Sequence, residues 1–167
     1  MSRTEQKSKR PSLQEIFMSV AYTVSQRSTC LRRKAGAVLA KDKRIIATGY
    51  NGAPAGLKHC KEIGCLRNKL KVEPGQRHEL CRAVHAEENC IIQAARFGVS
   101  TIDSEIYTVF YPCSVCAKTL INAGVAKVYY SEDYPDESSA LLFKEAGVVV
   151  EKLEGNYLFR GGYQDVT

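Results

Sequence analysis

His85-Ala86-Glu87 and, farther along, Pro112-Cys113-Ser114-Val115-Cys116 place one imidazole, one carboxylate and two thiols at spacings that suit a hydrolytic metal centre. A zinc ion in such a centre takes three protein ligands and keeps a fourth position for water. His85, Cys113 and Cys116 make up that set, and the ion lowers the pKa of its water from about 15.7 toward about 7. Glu87 lies two residues past the imidazole, where it is ill-placed to ligate as well and suited to carrying protons beside the water.

These residues need elements to hold them. A helix read over 85–97 puts the His85 ring and the Glu87 carboxylate in its first turn, close to one ion. Cys113 and Cys116 are three apart, so on a second helix starting at Pro112 they share a face. Proline suits a first helical position, and the positive helix end favours thiolate over thiol, the form that binds metal. Reading the two cysteines as reduced core residues and His85 as a surface residue leaves the upstream His-x-Glu without a purpose.

The loop 57–82 carries a second cluster, His59, Cys60, Cys65, His78 and Cys81, with Cys30 as a further contributor. A long irregular loop has little core of its own, and a closed four-ligand metal site would supply folding free energy there. The alternative is a set of reduced thiols in a mobile lid. Cys90, on the helix after Glu87, reads as a small buried apolar residue, and His59 as an ordinary loop histidine.

Composition bounds the rest. A chain of 167 residues, 44% of them hydrophobic, makes one enzyme-sized domain with a real core. Seven cysteines, an odd number, together with the metal motif and no apolar leader segment, point to reduced thiols and the cytoplasm. No run approaches the ~18 apolar residues of a membrane span, so no membrane partner is expected. The net charge of +6 includes a basic head over 1–11, with Arg3, Lys7, Lys9 and Arg10, read as disordered. What remains concentrates at Arg27, Arg32, Arg33 and Lys34, and is compatible with an anionic ligand without choosing between a mononucleotide and a nucleic acid.

Hydrophobic periodicity and turn residues give an element order. Ser12 and Glu15 form a capping box before Leu13, Ile16, Phe17, Val20, Ala21 and Val24, which predicts a helix over 13–28. Runs 35–40 and 44–50 around Lys41-Asp42-Lys43 predict a hairpin. The helix over 85–97 follows the long loop and ends at Gly98. Strand 105–110, helix 113–123, strand 127–130, helix 137–146 and strand 148–153 complete a three-layer α/β domain over 12–153. The helix between the last two strands implies that they pair in parallel. Residues 154–167 read as a tail.

The chain from about 13 to 153 resembles the cytidine and deoxycytidylate deaminase family. Its zinc motif is the known signature of zinc nucleobase deaminases. Further blocks also resemble the family: Arg27-Ser28-Thr29-Cys30, Gly36-Ala37-Val38, Gly49-Tyr50-Asn51-Gly52-Ala53-Pro54-Ala55-Gly56 and His85-Ala86-Glu87-Glu88-Asn89. The block from Gly49 to Gly56 distinguishes the branch acting on deoxycytidylate; read as residues alone, it is equally a structural turn.

The resemblance implies the cytidine deaminase-like fold, with a five-stranded mixed sheet and helices on both faces. It implies zinc-dependent hydrolysis of dCMP to dUMP and ammonia, feeding thymidylate synthesis, with Glu87 as proton carrier. Asn51 is then expected at the sugar, the Ala86 backbone at the pyrimidine, and Tyr134, Arg27 and Arg33 as candidates for the phosphate. A second, structural zinc would use Cys30 and Cys60 with two of His78, Cys81 and Cys65. Regulation by dCTP and dTTP, with Mg²⁺ accompanying the nucleotide, is expected at Gly49, Tyr50, Asn51 and Gly52, in a homo-oligomer, a hexamer by resemblance. Two other functions share the motif: a transfer RNA adenosine deaminase, which would bind nucleic acid, and a non-catalytic zinc-stabilised binding protein. The intact Glu87 argues against the last.

Overall fold

Two apolar faces on a single strand decide the layering. In β1 (Gly36–Lys41), Ala37 and Leu39 point to one side and Val38 and Ala40 to the other, and all four are buried. A strand buried on both faces must lie inside a sheet covered by helices on both sides. The computed structural model, which describes residues 10–157, has that arrangement. The basic head up to Lys9 and the tail from residue 158 on lie outside the described residues.

Five strands, β1, β2 (Arg44–Tyr50), β3 (Ser104–Phe110), β4 (Val125–Glu132) and β5 (Val149–Lys152), form one sheet in the order β2-β1-β3-β4-β5. β1 runs antiparallel to β2 and β3, whereas β3, β4 and β5 are mutually parallel. The mixed five-stranded sheet expected from the resemblance is therefore present. Among the described residues six α-helices accompany it: α1 (Leu13–Ser25), α2 (Cys60–Ile63), α3 (Leu66–Lys69), α4 (Ala86–Arg96), α5 (Ser114–Asn122) and α6 (Glu137–Ala146).

α1 covers one face. Its Phe17, Met18, Ala21 and Tyr22 pack with Val38, Tyr107, Val109 and Tyr129 of the sheet. Tyr107 and Tyr129 stack at 4.7 Å, so these strand tyrosines belong to the core. The opposite face is covered by α4, α5 and α6, whose Ala86, Cys90, Leu120 and Phe143 pack on Ala37, Leu39, Ile106 and Val128.

The predicted elements occur, with shifted ends. The Ser12–Glu15 capping box is made in both directions, at 3.1 and 2.6 Å. α1 stops at Ser25, three residues short of the prediction. The buried Ser25 hydroxyl donates to the Tyr22 carbonyl, and such local bonding competes with helix continuation. β3 and β4 are longer than their apolar runs because they pair in parallel from Ser104 and Val125 to Phe110 and Glu132, which draws polar end residues into the ladder. The loop 57–82 is not wholly irregular. It contains α2, α3 and a 3₁₀ turn at His78–Leu80.

Candidate active site

Both helices that carry the motif begin later than the spacing suggested, α4 by one residue and α5 two residues after Pro112. His85 is the N-cap of α4 and not its first helical residue, and Cys113 is the N-cap of α5, which leaves Pro112, expected at the first helical position, outside the helix. Both caps have extended backbone (φ −73°, ψ 161° and φ −73°, ψ 168°), which swings their side chains out over the helix mouth. The Glu88 carboxylate accepts the His85 backbone N–H at 3.0 Å and fixes that geometry. At the second helix Asp136 accepts the Ser114 N–H at 2.7 Å, while also capping α6 through the Ser139 N–H at 3.2 Å. The Ser139 hydroxyl donates to the Pro112 carbonyl at 2.7 Å, so the starts of α5 and α6 are tied together.

The three predicted ligands converge. His85 Nδ1 lies 3.3 Å from Cys116 Sγ and 3.4 Å from Cys113 Sγ, and both cysteines are buried. Their electrostatics suit a cation. The Cys116 thiol, donating to Cys113, holds the Cys113 thiol down at about 4 against the effect of burial, with His85 helping. Burial alone would lower His85, but its hydrogen bonds with Cys113 and Cys81 outweigh that and push it up to about 11. These opposed shifts mark a place that favours positive charge. One nitrogen and two sulfurs are a donor set that zinc takes.

Glu87 points into the same place from the first turn of α4 and is 5% exposed. Its Oε1 accepts the Thr108 hydroxyl at 2.7 Å, and its Oε2 lies 3.4 Å from Cys116 Sγ. Burial raises its pKa, opposed by His85, its own backbone N–H and Thr108. A carboxyl raised in this way, beside a metal-binding set, is suited to taking up and returning a proton. Thr108, in the middle of β3 and fully buried, carried no signal in the sequence.

The Gly49–Gly56 block serves this geometry directly. A Cβ on Gly49 would come within 2.2 Å of the Ala86 carbonyl oxygen, so only glycine lets β2 meet the first turn of α4 at this distance. Asn89 donates to the Tyr50 carbonyl at 2.7 Å, and Gly52 pairs with Val84 as an isolated bridge. The block and the His-Ala-Glu-Glu-Asn block thus meet face to face.

A cavity of about 400 Å³ opens over the convergence and is lined by Asn51, Glu87, Arg33, Phe110 and Tyr134 among others. Asn51 is buried, with its Oδ1 accepting the Ala35 N–H and its Nδ2 donating to the Arg33 carbonyl, both at 2.9 Å. It therefore shapes the cavity wall, and its amide keeps one N–H and one lone pair for a ligand. The Arg33 guanidinium lies 5.1 Å from the ring centres of both Phe110 and Tyr134. Arg27 and Tyr50 are exposed, and neither lines the cavity.

The family model for the cytidine and deoxycytidylate deaminase zinc-binding region matches residues 11–132. The chain belongs to this deaminase family. It is 44% identical over 146 residues to ComE operon protein 2 of Bacillus subtilis (strain 168), an alignment spanning 87% of this chain and 73% of that protein. It is 34% identical to the deoxycytidylate deaminase of Enterobacteria phage T4, across 90% of this chain and 94% of that one. The chain spans 43% of the longer deoxycytidylate deaminase of Schizosaccharomyces pombe, with 37% identity. Among solved structures, the dCMP deaminase of cyanophage S-TIM5 in complex with dCMP and dUMP superposes with a TM-score of 0.71 at 32% identity, covering 86% of this chain and 98% of that one. A transfer RNA A34 deaminase structure at 19% identity and a TM-score of 0.54 shares the fold.

Of the second cluster in this deaminase, Cys60 is buried and its thiol is pushed up by burial first and then by neighbouring Cys65, Cys30 and Cys81. His78 is placed elsewhere: its donor atom groups with those of His85 and Cys113, all within 4.8 Å of one another. His59 hydrogen-bonds Thr29 at 3.1 Å. Cys90 is fully buried, and its thiol donates to the Ala37 carbonyl. The sequence reading missed Thr108, Asp136 and Phe110. Of these only Asp136 had a signal, as an N-cap type residue ahead of a helix. No helix among the described residues is long and apolar enough to cross a membrane.

Proposed function

We propose that the enzyme hydrolyses dCMP to dUMP and ammonia. The observation that carries this reading is the buried Glu87 carboxyl, gripped by Thr108 beside the convergence of His85, Cys113 and Cys116. Support comes from the deoxycytidylate deaminases to which the chain is similar, one of them solved with dCMP and dUMP bound.

His85, Cys113 and Cys116 would hold the zinc, which when bound supplies Lewis-acid polarisation and a water acidified toward neutrality. Thr108 occupies Glu87 Oε1 and leaves Oε2 to carry the proton. Glu87 takes a proton from the attacking water and delivers it to N3 of the cytosine, then takes the remaining proton of the new C4 hydroxyl and gives it to the amine, which leaves C4 as ammonia. The burial that raises its pKa eases both directions of transfer. The Ala86 backbone would support the pyrimidine and Asn51 the sugar. Arg33, held between Phe110 and Tyr134, would meet the phosphate.

The same reading includes the finer expectations. The enzyme is cytoplasmic, supplies dUMP for thymidylate synthesis and works as a homo-oligomer regulated by dCTP and dTTP with Mg²⁺. A second zinc would sit among Cys30, Cys60, Cys65 and Cys81, which the mutual influence of these thiols on Cys60 supports.

The deciding measurement is ammonia release from dCMP, CMP, dCTP, deoxycytidine and an adenosine-34 transfer RNA stem-loop by zinc-loaded protein, with and without dCTP and Mg²⁺. Turnover of dCMP, rising with dCTP, is expected. Activity on the RNA alone would move the site to transfer RNA editing, and silence on all five with zinc present would leave a binding protein.

A further inference from the structure

We propose that Arg67, together with Arg33, holds the phosphate of the substrate and so makes the enzyme select a nucleotide over the bare nucleoside. This assignment rests on the dCMP reading above and concerns a residue that neither the motifs nor the resemblance singled out.

Arg67 lies on α3 and is only 6% exposed, yet it lines the cavity. A buried charge is costly unless it is paired. Arg32, Arg33, Arg67 and Arg82 all line the cavity, against the single carboxylate of Glu87. Among the described residues none of these arginines has an acidic partner, and of them Arg67 alone is buried. The cavity therefore carries an excess of positive charge that suits an anion.

The guanidinium of Arg67 is only partly used by the protein. Its Nη2 donates to the carbonyls of Glu73 at 3.3 Å and Gln76 at 2.5 Å, and its Nε is sealed from solvent without a partner. Nη1 has no partner in the protein either but is not sealed, so it is the nitrogen that the cavity reaches. Carbonyl oxygens accept hydrogen bonds without neutralising the charge, whereas phosphate oxygens do both.

Tyr134 fixes where this nitrogen stands. Arg33 Cζ lies 5.1 Å from the centre of the Tyr134 ring. The Tyr134 hydroxyl accepts the Gly75 N–H at 2.9 Å, and Gly75 belongs to the turn whose Glu73 and Gln76 carbonyls bond Arg67. A Cβ on Gly75 would come within 2.3 Å of the Pro135 carbonyl oxygen, so the turn is packed tightly on the segment of Tyr134. One arginine thus stands at the Tyr134 ring and the other past its hydroxyl. A nucleotide whose pyrimidine faces Glu87 carries its phosphate at the opposite end, where a dianion meets both.

Calorimetric titration of the zinc-loaded enzyme with dUMP and with deoxyuridine tests this, for wild type, Arg67→Gln and Arg67→Lys. Arg67→Gln is expected to weaken dUMP at least about tenfold, as the loss of a hydrogen bond to a charged group should, and to leave deoxyuridine within about twofold. Arg67→Lys keeps the charge but not the planar fork, and should bind dUMP with an affinity between the other two. Equal weakening of dUMP and deoxyuridine would overturn the proposal, because Arg67 would then serve only to shape the turn over 73–76. Unchanged dUMP binding would overturn it as well. If urea denaturation shows that Arg67→Gln does not fold, Arg67→Lys decides on the same comparison. Wild-type protein that binds dUMP no more tightly than deoxyuridine would overturn the nucleotide reading itself, whereas a wild-type preference that survives in the variants overturns only the role of Arg67.

Discussion

The Thr108 hydroxyl donates to Glu87 Oε1 at 2.7 Å, joining the middle of β3 to the first turn of α4 across the buried floor of the site. Thr108 is fully buried, and its hydroxyl is a neutral donor to the Oε1 side of the carboxylate. Replacing it with valine keeps the shape and removes the donor. A hydrogen bond to a charged group contributes about 1.5–3 kcal/mol, so Thr108→Val is expected to lower kcat roughly tenfold to a hundredfold. The KM for dCMP and the zinc content should hardly change. Steady-state kinetics with metal analysis would check this, and a KM effect larger than the kcat effect would place Thr108 in binding instead.

Glu87→Gln removes the proton carrier and keeps the volume. Turnover should fall by at least about 10²–10⁴-fold while the protein still binds zinc. Metal analysis beside an ammonia assay separates the two, and substantial residual turnover would refute the proton-carrying role.

Gly49→Ala would place a methyl group 2.2 Å from the Ala86 carbonyl oxygen, so β2 and α4 must separate. Overpacking of this kind costs about 1–3 kcal/mol. Because the displaced turn carries Glu87, the loss in kcat should exceed what the fraction of unfolded protein explains. Urea denaturation and kinetics on the same preparation would show it, and wild-type behaviour in both would contradict the packing account.

Asp136 links the starts of α5 and α6. Partial burial raises its carboxyl pKa, but hydrogen bonds from Ser138, Ser114 and Ser139 outweigh that and hold it below the ordinary aspartate value. A depressed folded-state pKa means that the stabilisation is complete above the unfolded value near 3.9 and is lost as pH falls through the folded value. Asp136→Ala should therefore cost about 1–2 kcal/mol at neutral pH, the usual range for a lost cap. The gap from wild type should close in acid below about pH 4. Urea titrations at several pH values would reveal a gap independent of pH if the carboxylate has no such role.

If the thiols around Cys60 hold a structural ion, wild-type protein should carry about two zinc ions per chain and Cys60→Ser about one, with a less stable fold. Elemental analysis decides it. One ion in both proteins would make these thiols simple core residues.

The sequence by itself determined the chemistry and the order of elements. His85, Glu87, Cys113 and Cys116 are few, polar and fixed in spacing, and local rules of capping and periodicity suffice to put them at helix starts. The capping box at Ser12, the hairpin about Asp42 and the layered α/β order were legible for the same reason, since each depends on residues close in the chain. The error of one or two residues at the motif helices is of the kind local signals leave: cap and first turn are told apart by backbone angles, which here depend on Glu88 and Asp136 reaching back to bond the chain.

Tertiary structure decided what depends on distant pairs. Thr108 meets Glu87 only because β3 lies beside β1 beneath α4, and nothing in a buried strand threonine announces that neighbour. The Gly49 block, legible as a ligand-binding turn or as a structural one, proved to pack on Ala86, bond Asn89 and bridge Val84. His78, grouped in the sequence with the loop thiols, comes to His85 and Cys113 because the Tyr134 hydroxyl and Arg67 bend its loop across the cavity. Types and short spacings define which reactions are available. The three-dimensional path of the chain then decides which groups face one another, because contact energies act over a few ångströms of space whatever their separation in sequence.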